Sequence, residues 1–201
     1  MRNIVASPLS GLDGGGHADV VARVRELDAV LCDEASVDAL AGCGELSGLS
    51  GRFLFALDDG RGDVAALGAD VTLIATPGGG AVLRVGAPRA GAGVASVAMG
   101  WAAAGGEVWV RSEDAARAAA LAAVEFLARA RESGTRAWRV RELPAQHAVT
   151  TDGLTARLAD AGIEAVRTKH RPTASAAPPA PGLVSGPDGR HALSVALPWA
   201  G

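Results

Sequence analysis

Four aspartates fall within one short stretch of the chain, and carboxylates are the ligands that calcium prefers in proteins. They are Asp58, Asp59, Asp63 and Asp70. Their spacing departs from the EF-hand loop, in which ligands recur at alternate positions and a glutamate closes the loop. We therefore interpret the stretch as a solvated turn that follows an apolar run, and we assign no metal ligand to it.

The thiols and imidazoles are too few and too scattered for a metal or cluster site. Of the 2 cysteines, Cys32 falls in a predicted amphipathic helix, where we expect a small buried hydrophobic side chain. Neither Cys32 nor Cys43 belongs to the four-thiolate motif that an iron–sulfur cluster requires. The histidines lack paired metal-ligand spacing; they are His17, His147, His170 and His191. The sequence identifies no metal ligand and no catalytic residue.

A glycine triplet at 14–16 precedes a predicted helix and could present free amides to an anion. It lacks both the Lys-Ser/Thr ending of a P-loop and the dinucleotide-binding fingerprint. Ser7 lies in a Ser-Pro-Leu turn, without the Gly-x-Ser-x-Gly pattern of a nucleophile elbow. We interpret both segments as turns.

Composition argues against two classes of partner. The formal net charge is −3 and aromatic residues make up 3% of the chain, so neither a basic field nor a stacking platform for nucleic acid is expected. No apolar run approaches the roughly 20 residues of a membrane-spanning helix. The N-terminus also lacks the hydrophobic segment of a signal peptide. We therefore expect a cytoplasmic protein with no nucleic-acid or membrane partner.

Strands and helices alternate along the chain. Apolar positions from Val20 to Leu31 recur at helical spacing. The clearest helix runs from Glu113 to about Glu132, with Ser112 as N-cap and Gly134 as its end. A shorter helix is expected from Asp152 to Asp160. Strands are predicted at 52–57, 70–75, 81–85, 94–99, 107–111 and 138–143. This order predicts an α/β (or α+β) fold, with a mixed sheet and flanking helices.

The composition changes sharply near the C-terminus. Residues 1–165 form the first predicted unit, and a Pro/Ala-rich linker follows at 166–182. Residues 183–201 contain one isolated strand, at 190–197. A lone strand cannot satisfy its edge groups or bury its faces. We therefore expect 183–201 to be the start of a further, truncated domain.

Several segments carry a family resemblance. RNIVASPLSGLD, from Arg2, resembles the RNV..SPLAGID segment of the nitrite and sulfite reductase family. LSGRFLFA, from Leu49, resembles the family strand LPRKFKIA. DVAALGADV, from Asp63, stands in the place of DINDLAF, and GAVLRVG, from Gly80, resembles GFNVLVGG. With AWRVRELP, from Ala137, the pattern is most similar to the precorrin-3B synthase branch, over residues 2 to 162.

The resemblance implies that residues 1–165 are a central half-domain of the sirohaem-domain type and that residues 183–201 are the start of a truncated ferredoxin-like half-domain. In the family, the Arg of the first segment reaches an anionic substrate at the macrocycle, and here that residue is Arg2. The Lys of the second segment is another anion contact, and Arg52 holds its position. Arginine suits this role because it stays charged and binds carboxylates bidentately. The resemblance thus implies that Arg2, Asn3 and Arg52 bind substrate.

Two departures from the family pattern are informative. Leu54 occupies a position that is usually Lys or Asn in the reductases, and an apolar side chain cannot bind sulfite or nitrite. Leu54 therefore favours the branch whose substrate is the precorrin itself. The intact family also holds a [4Fe-4S] cluster, whose four cysteines are absent here. A cluster-binding segment and a ferredoxin-like half-domain are accordingly expected as missing partners.

Precorrin-3B synthases hydroxylate precorrin-3A with dioxygen and close a lactone during cobalamin biosynthesis. The resemblance implies this oxidoreductase activity for an intact relative. We expect this chain to contribute tetrapyrrole binding and to be inactive alone. Two alternatives stay open: a fragment of a nitrite or sulfite reductase with sirohaem as cofactor, and a non-catalytic tetrapyrrole-binding module.

Overall fold

The computed structural model describes residues 3–32, 45–86, 106–168 and 181–195. Its strands are β1 (Asn3–Ala6), β2 (Leu54–Asp58), β3 (Val71–Thr76), β4 (Gly80–Val85), β5 (Gly106–Arg111), β6 (Ala165–Arg167), β7 (Gly182–Ser185) and β8 (His191–Ser194). Its α-helices are α1 (Val20–Cys32), α2 (Ala115–Ser133) and α3 (Thr151–Asp160). The predicted class is confirmed: the fold is α/β, with a mixed sheet and flanking helices.

The main sheet has 6 strands in the order in which they occur in the chain. β1, β2 and β3 run parallel, while β4, β5 and β6 each pair antiparallel with the preceding strand. A parallel pair needs a crossover connection, and the segment containing α1 joins β1 to β2. In their register Asn3 lies opposite Leu54. Because β1, β2 and β3 are parallel neighbours, their amino ends lie side by side at one end of the sheet.

The helices pack on one face of this sheet and form the main core with it. α2 is the central helix, and nearly all its residues from Ala115 to Leu127 are buried. Its many alanines allow close approach to the sheet and to α1 and α3. Gly134 ends α2 with a positive φ of 64°, and its amide donates to the carbonyl of Arg131, as expected for a residue that tolerates left-handed backbone.

The predicted start of α2 is wrong by two residues. Ser112 belongs to a 3-10 turn, and Asp114 is the N-cap of the helix. The Ser112 hydroxyl and carbonyl instead accept hydrogen bonds from the guanidinium of Arg23 on α1. A contact between helices thus replaces the expected local cap.

The predicted strand at 138–143 is also wrong. Val140–Glu142 form a 3-10 turn, because carboxylates take the amides that a strand would offer to a neighbour. Glu142 accepts from the amides of Trp138 and Arg139, and Asp70 accepts from that of Val140. β1 and β6, in contrast, were not predicted as strands, since each is short and forms against a strand distant in sequence.

The prediction of one isolated C-terminal strand is wrong as well. β8 pairs antiparallel with β7 in a separate 2-stranded sheet. The guanidinium of Arg190 donates to the carbonyl of Gly11, which connects this hairpin to the segment after β1. The predicted strand at 94–99 and most of the predicted linker lie outside the described residues. Among the helices that the structure describes, none is long and apolar enough to cross a membrane.

At the tight turn between β3 and β4 there is no room for a side chain at Gly80. A Cβ atom at Gly80 would lie 2.2 Å from the ring of Trp109, whose indole N–H donates to Thr76. Gly80→Ala should therefore lower the free energy of unfolding by about 1–3 kcal/mol through overpacking. Urea denaturation measures this change. Gly51→Ala is the matched control, because a Cβ there meets nothing within 4 Å; equal midpoints for the two variants would contradict the prediction.

Candidate functional site

The residues selected by the resemblance converge at the amino ends of β1 and β2. The side-chain amide of Asn3 donates to the carbonyl of Gly51, 48 positions away, and Arg52 follows directly. Both Asn3 and Arg52 are exposed. Arg2 lies outside the described residues. The pairing of two parallel strands therefore places Asn3 beside Gly51, the residue before Arg52, although the two segments are far apart in sequence.

The guanidinium of Arg52 lies over an aromatic ring. Its Cζ atom is 5.2 Å from the centroid of the Trp138 ring, within the range of a cation–π interaction. Trp138 remains 49% exposed. Within residues 3–32, 45–86, 106–168 and 181–195, no carboxylate pairs with Arg52. Its N–H donors are therefore available to an anion from solution.

Asp70 holds the two sides of this surface together. Its Oδ2 atom accepts from the amide of Leu54 at 2.9 Å, and its Oδ1 atom accepts from the amide of Val140 at 2.8 Å. The Nε atom of Arg139 lies 2.5 Å from Oδ2. This contact is an ion pair without the geometry of a hydrogen bond. One buried carboxylate thus fixes the start of β2 relative to the segment that carries Trp138.

The environment of Asp70 shifts the pKa of its carboxyl group. Burial, the largest influence, raises the pKa of this carboxyl above its ordinary value, while the amides of Leu54 and Val140 and the charge of Arg139 act in the opposite direction. Because the pKa is raised on folding, ionisation of Asp70 opposes folding as the pH rises through that pKa. The amides and Arg139 limit this cost, so the structure depends on their remaining in place.

The other three aspartates of the acidic stretch, Asp58, Asp59 and Asp63, lie at or beyond the carboxyl end of β2, and the prediction of a solvated turn is wrong. Asp58 and Asp59 are fully buried. Asp58 accepts hydrogen bonds from four backbone amides of the following loop, those of Gly60, Gly62, Val64 and Ala65. Without Asp58 these amides would be unpaired in the interior, and this explains why an aspartate is buried there.

The neighbouring carboxylates are also engaged. Arg61 binds Asp59 at 2.8 Å and Asp13 at 2.9 Å, and the Ser7 hydroxyl donates to Asp63 at 2.6 Å. Oxygen atoms of Asp58, Asp59 and Asp63 lie within 4.8 Å of one another. Since amides, a guanidinium and a hydroxyl already engage these side chains, the loop does not require a cation to offset its charge, and we assign no metal site to it.

A shallow cleft opens nearby, between α1 and the carboxyl ends of β2 and β3. Its lining includes Ala18, Arg23, Leu57, Asp58, Gly80 and Ser112. The guanidinium of Arg23 bonds Ser112, and the carboxylate of Asp58 bonds the amides of its own loop. The charged groups of the cleft are therefore satisfied within the protein, and nothing in it selects a ligand.

The cluster that the resemblance implies for the intact family does not fit the described residues. A [4Fe-4S] cluster needs four thiolates, and the free cysteine in the described part of the chain is Cys32. This residue is exposed at the end of α1, so the prediction of a buried hydrophobic side chain is wrong. Its Sγ atom lies 3.8 Å from a carboxylate oxygen of Asp28. Cys43 lies outside the described residues.

Sequence reasoning missed two residues of the surface, Trp138 and Asp70. Trp138 was placed in a strand, and Asp70 was grouped with the acidic stretch. Trp138 had no local signal, because its exposure and its contact with the distant Arg52 are visible only in the structure. The role of Asp70 had no local signal, since its partners lie 16 and 70 positions away.

Removing the Asp70 carboxylate should destabilise the fold strongly. Asp70→Ala leaves the amides of Leu54 and Val140 without their acceptor and leaves Arg139 unpaired. We expect the free energy of unfolding to fall by about 3–5 kcal/mol, the usual cost of breaking a buried charge pair. Urea unfolding gives the value. The exposed Asp188 offers the control: a loss after Asp188→Ala as large as that after Asp70→Ala would refute the assignment.

The ion pair between Asp13 and Arg61 should make the stability of the fold depend on pH in the acidic range. The side chain of Arg61 lowers the pKa of Asp13 to about 2, and this carboxylate therefore contributes stability above its unfolded pKa, near 3.9, that is lost as the pH falls towards 2. NMR titration of the Asp13 carboxyl should show a midpoint at about 2. Arg61→Gln should return it to roughly 3.9. Arg25→Gln, which alters an exposed arginine on α1, should leave it unchanged.

Comparison with protein-family models, with curated proteins and with solved structures finds no match to this chain. The chemistry of the site is therefore argued from its own geometry. That geometry consists of an exposed guanidinium over an exposed indole, with Asn3 bonded to the residue before the arginine, and it suits a carboxylate-bearing ligand with a flat or apolar body.

Proposed function

We propose that this chain is a tetrapyrrole-binding half-domain of a precorrin-3B synthase-like oxidoreductase of cobalamin biosynthesis. Arg52 and Asn3, together with Arg2, bind carboxylates at the rim of the macrocycle. The intact protein would carry out the dioxygen-dependent hydroxylation of precorrin-3A, with further half-domains as partners of this one.

The observation that carries the proposal is the meeting of Asn3 and Arg52 at one end of the β1–β2 pair. The resemblance selected these residues from two separate motifs, without reference to their distance in space. The Asn3 side chain bonds the carbonyl of Gly51, and Arg52 is exposed and, among the described residues, unpaired with a carboxylate. A cation and an amide donor at one exposed edge suit a ligand with several carboxylates.

Two further features support the proposal. One is the α/β class itself, since a mixed sheet with flanking helices is the coarse arrangement expected of such a half-domain. Leu54 packs against the small apolar cluster of Ala56, Val64 and Ala69, so this side chain contributes to the fold and offers nothing to an inorganic anion. Leu54 therefore argues against the alternative of a sirohaem-dependent nitrite or sulfite reductase.

The contribution of this chain is binding and orientation. Arg52 can hold a macrocycle carboxylate through charge-assisted hydrogen bonds, because a guanidinium presents its N–H donors in a planar fork that matches a carboxylate. Asn3 adds a neutral polar group whose orientation is fixed by the Gly51 carbonyl. Since the described cysteine cannot hold a cluster, we assign no redox step to these residues.

Titration with uroporphyrin tests the proposal, because this stable tetrapyrrole carries carboxylates around its whole rim. We expect a saturable change in the Soret absorbance with the wild-type chain. Arg52→Ala should weaken binding by about tenfold or more, since a hydrogen bond to a charged group contributes about 1.5–3 kcal/mol.

Arg25→Ala is the matched control, because it removes an exposed arginine from α1 and lowers the net charge by the same amount. If both arginine variants weaken binding equally, the effect is a general one of charge and the assignment of Arg52 fails. A well-folded wild-type chain that shows no saturable change would overturn the proposed function itself.

A further inference from the structure

Trp138 supports the Arg52 side chain from a segment that belongs to neither β1 nor β2. The ring lies 5.2 Å from the Arg52 guanidinium carbon and is 49% exposed. An exposed arginine normally samples many rotamers, and ordering it on a ligand carries an entropic cost. Stacking on an indole restricts that sampling before any ligand arrives.

The backbone that carries the indole is itself anchored. The Glu142 carboxylate accepts from the amide of Trp138 at 2.7 Å and from that of Arg139 at 3.2 Å. Arg139 also donates to the carbonyl of Gly68 and pairs with Asp70. The segment that carries the ring is thus attached to the residues just before β3 through Arg139, the residue that follows Trp138.

The Arg52 backbone is fixed by the same carboxylate. The Arg52 amide donates to the Ser50 hydroxyl at 3.1 Å, and the amide of Leu54, two residues further on, donates to Asp70. Asp70 therefore anchors both backbones, each at a position two residues after the side chain that stacks. The separation of ring and guanidinium is determined by this shared anchor.

Stacking leaves the chemistry of the guanidinium intact. A guanidinium that stacks on an aromatic ring contacts it through its face, whereas its N–H donors point outward in its plane. A carboxylate can consequently bind at the edge while the indole remains on the face. A lysine or a flexible arginine at this position would lack such a fixed fork.

We infer that Trp138 is a positioning residue for Arg52: it holds the guanidinium stacked, with its edge donors directed at a ligand carboxylate. This inference rests on the proposed function for its ligand, a planar tetrapyrrole with carboxylates at its rim. It makes Trp138 a residue that affects the affinity for the ligand by way of Arg52.

A double-mutant cycle with uroporphyrin tests the inference. Trp138→Ala should weaken binding by about three- to tenfold, the cost of ordering a long side chain on the ligand. Trp138→Phe should recover most of the loss, because a phenyl ring also stacks on a guanidinium. In the Arg52→Ala background, Trp138→Ala should have no further effect. Val166→Ala, which trims another exposed apolar side chain, should leave the affinity unchanged.

A second measurement needs no ligand. In the wild-type chain the Nε–H proton of Arg52 should show a ring-current shift in NMR spectra; Trp138→Ala should abolish this shift and Trp138→Phe should largely restore it. Losses of affinity that add across the cycle, or an unshifted Arg52 proton, would overturn the positioning role. A shifted proton in a chain that does not bind uroporphyrin would leave the stacking intact and refute the proposed function alone.

Discussion

The carboxylate of Asp70 connects three segments that are otherwise separate in the chain. Its two oxygen atoms accept from the amides of Leu54 and Val140, and Arg139 pairs with it from the side. Burial raises the free energy of the charged carboxylate, so ionised Asp70 is stable only while its hydrogen-bond and ion-pair partners are in place. The start of β2, the start of β3 and the turn after α2 consequently have one relative arrangement, and the surface carrying Arg52 and Trp138 depends on it.

The two ends of the parallel strands differ in how their charges are satisfied. At the carboxyl ends, Asp58 bonds loop amides and Arg61 bridges Asp13 and Asp59, so charge is neutralised inside the protein. At the amino ends, Arg52 is exposed and finds only an aromatic partner in the described residues. Ligands of open α/β sheets usually bind at the carboxyl ends. Here Arg52, which has no carboxylate partner among the described residues, lies at the other end, where the resemblance also directs attention.

The central helix α2 also carries a buried charge that is paired within the protein. Glu125 is buried on α2 and is paired with Arg129 of the same helix and Arg157 of α3. The alanines around it let α2 lie close to the sheet, and the paired carboxylate connects it to the next helix. This layer supports β3, β4 and β5 from one side.

The sequence by itself determined the elements whose signals are local. Apolar periodicity located α1, the predicted α2 and α3 begin within two residues of the observed helices, runs of apolar residues bounded by turns located β2 to β5, and Gly134 ended α2 as expected. The resemblance selected Asn3 and Arg52. Only the tertiary structure decided that these two residues adjoin, that Trp138 lies in a turn under Arg52, and that the aspartates are buried. Each of these features is a contact between groups distant in the chain, and a local pattern carries no information about which buried carboxylate will bind which distant amide.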